Sequence, residues 1–584
     1  MKNIFKTLTL VLLTQSVFAQ LPPIFGTKYQ STSSTSDMVK TYLIPQKIIW
    51  QSDNSGKNIQ NPSALLKMGN RQVAVNDKDL FRFISTAENK PAIVLDYGKE
   101  IHGGIKISMG IRPSKEPLKL RLRFGESVGE AMSDIGGTQN ATNEHSLRDF
   151  IVEVPWLGSV EVGETGFRFL RIDVVEGNEN APIKSIEAAF IYRDLPYLGS
   201  FECSDERLNE IWATGAYTVH LNMQNYLWDG IKRDRLVWVG DMHPEVMTIN
   251  TVFGANEIVP KSLDLARDQH PLPEWMNGIS SYSMWWILIH KSWYDYQGNL
   301  AYLNEQEKYM TTLLDQLSTF IDKDNKEILN GGRFLDWPTS TDPKAVHAGL
   351  QSMMIMTFEA GSDIMQTLGN KKLHDKYNLI AQNLKKHKPE GNTSKQAAAL
   401  MSIANIADSK NTNTTILKKN GVENMSTFYG YYILEAMAKA GDYDGALKVI
   451  REYWGGMLDL GATTFWEDFD VLDVANSGRI DEVTPTNKKD IHGDFGEFCY
   501  VGFRHSLCHG WASGPTPWLT QYVLGIQSLD GGNTIKIEPH LGDLKYAKGT
   551  FPTKKGILKV SHIREANGKI KTTINAPKGI KIIQ

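Results

Sequence analysis

The chain is poor in cysteine, in long apolar runs and in excess charge, and each shortage removes a class of protein. Three cysteines in 584 residues, Cys203, Cys499 and Cys508, exclude a disulfide framework. One pair plus a free thiol is the most they allow, and proximity alone favours Cys499 with Cys508. The 63 basic residues against 66 acidic ones leave a net charge of -3, which argues against nucleic acid as a partner. The apolar run from Leu8 to Phe18 falls short of the roughly 20 residues that a membrane span requires. It follows a basic start and closes on Val17, Phe18 and Ala19, the pattern of a secretory signal peptide cleaved after Ala19. The expectation is an exported protein, periplasmic or extracellular, without a membrane span. There is no Gly-x-x-x-x-Gly-Lys phosphate loop, no His-Glu-x-x-His zinc motif and no Gly-x-Ser-x-Gly elbow. No cluster of His and Cys stands at metal spacing, so neither a metal nor a cofactor is expected.

What is present divides into three stretches, as the length demands. Residues 20–199 read as a β-sandwich region. Short alternating or apolar runs, such as Pro91 to Gly98, Gly104 to Met109, Leu118 to Phe124 and Phe167 to Val174, are separated by Gly, Pro and Asn. The character changes at Ser204. Leu208, Ile211, Trp212, Gly215, Val219 and Met223 recur at helical spacing behind a Ser204–Asp205 cap. Further helices are expected near Ser283 to Asp295, Leu303 to Phe320, Leu350 to Leu368, Lys371 to Lys386 and Thr427 to Ala440. Stops such as Gly369-Asn370 and Gly441-Asp442 make these helical hairpins, so residues 200–525 fit a toroid of paired helices better than a four-helix bundle. Residues 526–584 return to strands, with turns at Asn567-Gly568 and Lys578-Gly579, and form a small β domain.

Twelve of the fourteen tryptophans lie between Trp212 and Trp518, which places a ligand site in the helical stretch. Trp212 and Trp293 read as core, whereas Trp228, Trp337, Trp466 and Trp511 lie in polar, loop-like contexts suited to a pocket. The densest segment runs from Asp229 to Asp241. Read as a helix, it puts Asp234, Trp238 and Asp241 on one face, at i, i+4 and i+7. Carboxylates beside an indole make a poor core but a good grip on a polyol, accepting bonds from hydroxyls while the ring covers a C–H face. Ala462 to Phe469, after glycines 455, 456 and 461, reads as a loop with Trp466, Glu467 and Asp468 exposed. Arg333 to Thr339 and Ser506 to Gly514, with His509, read as two more walls. Each alone is equally well a polar connector with one aromatic packed inward; four in one domain favour a sugar pocket. Glycosidic hydrolysis needs two carboxyl groups, one to protonate the leaving oxygen and one to activate water or attack. Asp234 and Glu467 are the candidates.

At these residues the sequence resembles the α-L-rhamnosidases of glycoside hydrolase family 78. The likeness runs from about Leu95 to Ser561. It is specific in Asp-x-x-x-Arg-[Asp/Glu]-Arg-Leu-x-Trp-x-Gly-Asp, from Asp229 to Asp241, and in Thr-Thr-x-Trp-Glu, which ends at Glu467. The resemblance implies an (α/α)6 barrel catalytic domain between β domains and an exo-acting, inverting release of terminal α-L-rhamnose with no metal in the chemistry. It makes Asp234 the general acid and Glu467 the general base. Asp229, Arg233, Trp238 and Asp241 become rhamnose binders, Trp337 and Trp466 pocket walls, His509 a late sugar contact and Trp286 a further contact in competition with Trp285 and Trp293. The acid position is usually glutamate in the family. Aspartate is one methylene shorter, so the backbone must bring the carboxyl closer or the sugar must sit deeper. As acid, Asp234 must hold a proton near neutral pH, which a neighbouring carboxylate, Asp229 or Asp241, favours. Another glycosidase or a polysaccharide lyase on the same barrel, or a non-catalytic carbohydrate-binding protein, are the competing readings. Oligomeric state is not legible.

Overall fold

The computed structural model describes residues 38–584, except 71, 76, 77, 497 and 498; the expected signal peptide, Met1 to Ala19, lies outside the described residues. No helix among the described residues is long and apolar enough to cross a membrane.

The first nine strands are β1 (Met38–Leu43), β2 (Lys47–Gln51), β3 (Ile59–Gln60), β4 (Phe81–Ile84), β5 (Ala92–Met109), β6 (Leu118–Gly125), β7 (Asp149–Val154), β8 (Ser159–Val174) and β9 (Asn180–Arg193). They form one hydrogen-bonded sheet in the order β3-β4-β9-β5-β8-β6-β7, with β1 on β9 and β2 on β5. The runs from Pro91 and from Gly104 belong to one strand, β5. Its first part pairs with β2 and β8 and its second with β9 and β8, with irregular registers between. Ile93, Leu95, Ile105 and Ile107 from both parts therefore enter the same core as Phe81, Phe83, Leu120 and Ile172. A short helix, α1 (Val128–Met132), is capped by the Ser127 side chain, which accepts from the Glu130 N–H.

Twelve further helices follow as six outer–inner pairs: α2 (Glu206–Asn222) with α3 (Met242–Val252), α4 (Ile258–Gln269) with α5 (Ser280–Gln297), and α6 (Leu300–Ser318) with α7 (Pro343–Thr367). The second half adds α8 (Lys371–Leu384) with α9 (Lys395–Ile403), α10 (Ser409–Thr412) with α11 (Gly430–Lys439), and α12 (Tyr443–Asp459) with α13 (Pro515–Trp518). The inner members touch in sequence, α3 to α5, α7, α9, α11 and α13, and α13 returns to α3, so the ring closes. Burial separates the two classes. Every residue of α3 except His243 is buried, whereas α8 buries only Tyr377, Ala381 and Leu384, the i, i+4, i+7 stripe of a helix with one covered face.

The strands β13 (Ile526–Leu529), β14 (Thr534–Ile537) and β18 (Lys581–Ile583) make one small C-terminal sheet. A second contains β15 (Tyr546–Thr553), β16 (Gly556–Arg564) and β17 (Ile570–Asn575). The second takes β10 (Ser200–Cys203), just ahead of the barrel, as its edge partner through β15, so residues 200–203 belong with the C-terminal sheet and not with the helices. Two two-residue strands, β11 (Ser477–Gly478) and β12 (Lys489–Asp490), pair within the long α12–α13 connection.

Cys203, Cys499 and Cys508 are all free thiols, which corrects the expected Cys499–Cys508 pair. The Cys508 thiol faces the Thr218 carbonyl and Asn222 inside the barrel, while Cys499 donates to Glu467 Oε1 at 3.1 Å. Closeness in sequence did not bring the two sulfurs together.

Candidate active site

A cavity of about 340 Å³ opens where the connections from outer to inner helices meet. Asp229, Arg233, Asp234, Trp238 and Asp241 come from the α2–α3 connection, and Ile279 and Tyr282 from the start of α5. Gly332, Phe334 and Trp337 precede α7, while Glu467, Tyr500, His509 and Trp511 come from the α12–α13 connection. The walls therefore gather at the N-terminal ends of inner helices, where the dipole favours negative charge.

The segment from Asp229 to Asp241 is not a helix; α3 begins only at Met242. Asp234 and Arg235 both have positive φ, 56° and 54°, which breaks any helical run. Asp234, Trp238 and Asp241 still meet at the cavity because the loop wraps round it. A side chain at Gly240 would place its Cβ 2.2 Å from the Tyr282 ring, so the glycine of the motif lets that tyrosine seal against the loop. Glu467 and its neighbours are also buried, at 5% exposure for Glu467, and not exposed as expected. The loop is irregular, but Thr427 Oγ1 and Trp511 Nε1 both donate to the Glu467 carbonyl and draw it inside.

Glu467 receives Arg233 Nη2 on both carboxylate oxygens, at 2.6 Å to Oε1, and the Ser506 N–H on Oε2 at 2.8 Å. Burial alone would raise this carboxyl, but the Arg233 guanidinium, with His509 and the Ser506 N–H, holds it well below the ordinary range. The same guanidinium reaches Asp234 Oδ1 through Nη1 at 3.1 Å. Its Nε is fixed by the Arg504 carbonyl and its face lies on the Tyr500 ring. Asp234 Oδ2 accepts from Trp238 Nε1 at 3.1 Å, and His145 Nε2 approaches Oδ1 at 3.3 Å. The direct side-chain contacts of Asp234 among the described residues are thus Arg233, Trp238 and His145. Like-charge crowding falls instead on Asp229, which burial, with Asp241 and Asp234 nearby, raises well above its usual range despite His509. Asp241 is raised by burial and opposed by His509 Nε2 at 2.9 Å and by the Tyr282 hydroxyl. Burial lowers His509, but Glu467 and Asp241 outweigh it and lift the imidazole. Four carboxyls face two cationic side chains here, Arg233 and His509, which favours retention of a proton in the pocket.

Three candidate residues lie off the wall. Trp286 is fully buried and donates to the Leu263 carbonyl of α4; it sits one helical turn beyond Tyr282, away from the mouth. Trp466 is 2% exposed and packs edge-on against Phe469, while Glu467 takes the pocket side. Trp228 packs against His102 of β5 and under the Arg235 guanidinium, at the junction with the β domain. Sequence reasoning missed Tyr282 and Tyr500. Tyr500 lies between the Arg233 and Arg504 guanidiniums, a placement without a periodic signal.

Behind the pocket, Lys232 anchors the loop. Its ammonium contacts Glu126 at 2.9 Å and Glu130 at 3.3 Å, both from the β domain, and donates to the Phe503 and His505 carbonyls. Glu126, Glu130 and His492 offer ligand atoms within 4.8 Å of one another. The lysine already supplies the positive charge, and both His492 ring nitrogens are engaged by Ser127 and the His505 carbonyl, so the cluster reads as an interdomain clamp.

The family described as bacterial alpha-L-rhamnosidase 6 hairpin glycosidase domain matches residues 196–523, more than half of the chain. The chain belongs to this family. The six outer–inner pairs are its six hairpins. An α-L-rhamnosidase of Formosa agariphila is 26% identical over 155 residues, which cover 26% of this chain and 16% of that relative. The crystal structure of a GH78 family rhamnosidase of Bacillus sp. GL1 is similar with a TM-score of 0.71 at 21% identity, covering 87% of this chain and 54% of that one. The rhamnosidase from Klebsiella oxytoca with rhamnose bound gives 0.63 at 18% identity, covering 83% and 95%. The chain thus spans about half of the Bacillus protein and a small part of the Formosa one. At these identities the structural likeness establishes the fold: a helical barrel flanked by an N-terminal sheet domain and small C-terminal sheets.

Proposed function

We propose that this member of the six-hairpin rhamnosidase family is an exo-acting, inverting α-L-rhamnosidase, with Asp234 as general acid and Glu467 as general base. The observation that carries the reading is the single Arg233 guanidinium held between those two carboxylates in a cavity walled by Trp238, Trp337 and Trp511. At about 340 Å³ the cavity lies at the small end of the roughly 300–1,000 Å³ of ligand pockets, which suits one terminal sugar. Glu467 is kept ionised by Arg233, as a base must be, and takes a proton from water whose acidity rises as it attacks. Asp234, nearer the mouth with its side chain 14% exposed, faces the leaving oxygen. Asp229, Asp241 and His509 bind hydroxyls, and the indoles cover the C–H faces.

The lyase reading is disfavoured because, among the described residues, four carboxyls dominate the lining and Arg233 is its one Arg or Lys, the reverse of what a uronate needs. The test is incubation with p-nitrophenyl α-L-rhamnoside beside a panel of other glycosides, comparing wild type with Glu467→Gln, and proton NMR of the first sugar released. Inversion gives β-L-rhamnose first and no turnover by the variant. Failure to release rhamnose from any rhamnoside overturns the substrate, and α-anomer first overturns the mechanism. We also propose export through Met1 to Ala19; a mature N-terminus at Gln20 is expected from a secreting host, and an intact Met1 speaks against it.

A further inference from the structure

His145 stands outside the barrel, on the β-domain loop ahead of β7, yet it reaches the carboxyl proposed as the acid. Its Nε2 lies 3.3 Å from Asp234 Oδ1. Two contacts dock this loop, and one docks β8, onto the catalytic loop. Arg235 Nη2 donates to the His145 carbonyl at 2.7 Å, Arg235 Nη1 to the Glu164 carbonyl at 3.3 Å, and Ser146 Oγ to the Lys232 carbonyl at 2.7 Å. His145, Asp234 and Arg235 all have positive φ, at 66°, 56° and 54°. Such a backbone in a non-glycine residue costs roughly 1–3 kcal/mol and persists only where its surroundings hold it. Both strained segments are held where they touch, and the result is an imidazole against a carboxyl.

Among the described residues, Asp234 has three side-chain contacts: Arg233, Trp238 and His145. A guanidinium does not give up its proton in the working range, nor does an indole. Of the three, only the imidazole has ring nitrogens that can both donate and accept a proton. The His145 side chain is 35% exposed where Asp234 is 14% exposed, and it borders an open hollow on the β domain with Asn143, Leu147, Glu164 and Arg235. The charged group that meets the ring is Asp234, itself paired with Arg233; Arg235 of the catalytic loop and Glu164 of β8 share the hollow that His145 lines, and Glu144 on its own loop is turned to Arg504.

We propose that His145 is a positioning residue that reloads Asp234: the acid exchanges its proton with solvent through this imidazole of the β domain. In each turnover Asp234 gives its proton to the leaving oxygen while Glu467 takes one from the attacking water. Glu467 then releases the proton it took to solvent, while His145 passes its Nε2 proton to Asp234 Oδ1 and regains one at Nε2 from that same solvent pool, so charge and protons balance. This rests on the acid assignment above and deepens it. It also gives the β domain a part in turnover beyond support.

The test uses leaving groups of different need. A 2,4-dinitrophenyl α-L-rhamnoside departs without protonation, so Asp234 loses no proton and no reloading is required; an unactivated rhamnosyl sugar requires both. The variant is His145→Asn, since asparagine tolerates positive φ. Expected is a fall of tenfold or more in kcat on the rhamnosyl sugar, with kcat on the dinitrophenyl substrate within twofold of wild type, which also reports an intact fold. An equal loss on both substrates, or no loss on either, overturns the proposal. Asp234→Asn run beside it separates the two claims: if that variant shows no dependence on leaving group, the acid assignment is what has failed.

Discussion

Arg233→Gln probes the site most directly, because one guanidinium sets the state of Glu467. Arg233 and Glu467 side chains are 3% and 4% exposed, and removing one partner of a buried ion pair costs about 3–5 kcal/mol. A drop of that size is read by urea unfolding. The pH dependence is sharper. In the wild type Glu467 is depressed, so its contribution to stability is present above the unfolded carboxylate value of about 4.3 and is lost as pH falls through the folded value. Without Arg233 burial wins, the folded value rises above the unfolded one, and the contribution is lost as pH rises instead. Activity follows the same change: Glu467 becomes protonated in the assay range and the base is lost. General acid–base groups contribute about 10²–10⁴-fold, so a loss of about 100-fold or more in kcat/KM is expected at pH 5, and the ratio to wild type recovers toward pH 8. Arg233→Lys keeps the charge but not the two-pronged contact, and falls between. An Arg233→Gln/wild-type ratio that does not change with pH, or unchanged unfolding, refutes the reasoning.

Other outcomes follow from the same structure. Burial lifts the Glu435 carboxyl from 4.5 to about 7, against the Tyr522 hydroxyl that donates to it. The neutral form is the folded one, so its contribution is full below pH 4.5 and lost through pH 7, by about 3 kcal/mol at 1.36 kcal/mol per unit; Glu435→Gln removes that slope from a plot of unfolding free energy against pH. Three free thiols predict three alkylations by mass spectrometry in denaturant without reductant, where a single label would restore a disulfide. Lys232→Met strands Glu126 and Glu130 at the domain junction and is expected to cost about 3–5 kcal/mol in urea unfolding; a change under 1 kcal/mol would contradict the clamp. Trp238→Phe keeps an aromatic ring but loses the donor to Asp234 Oδ2. A typical hydrogen bond is worth about 0.5–1.5 kcal/mol, so kcat/KM on a rhamnoside falls by roughly two- to tenfold, and unchanged turnover would remove the contact from the mechanism.

Much of the architecture was legible from local rules. Apolar spacing of 3.6 marked the helices, alternation marked the strands, and glycine stops marked the hairpins, because each states which side of an element is covered. The site was legible as a set of residue types: carboxylates and indoles too crowded for a core. Its geometry was not. Asp234, Trp238 and Asp241 suggested a helix face by spacing alone, whereas two positive-φ residues bend the chain into a loop that brings the same side chains together. Trp286 read as one of three tryptophans competing for a single role, and Trp337, in a polar loop, as a pocket wall. Only the ring of inner helices decides that one meets α4 and the other the cavity. Contacts between residues far apart in sequence, such as Arg233 with Glu467 and His145 with Asp234, leave no periodic trace in a single chain. The sequence by itself determined which elements form and which side chains are costly to bury. Closure of the six hairpins and docking of the β domain decided which of those side chains share one space, because charge and hydrogen bonding act across distances that only the folded chain sets.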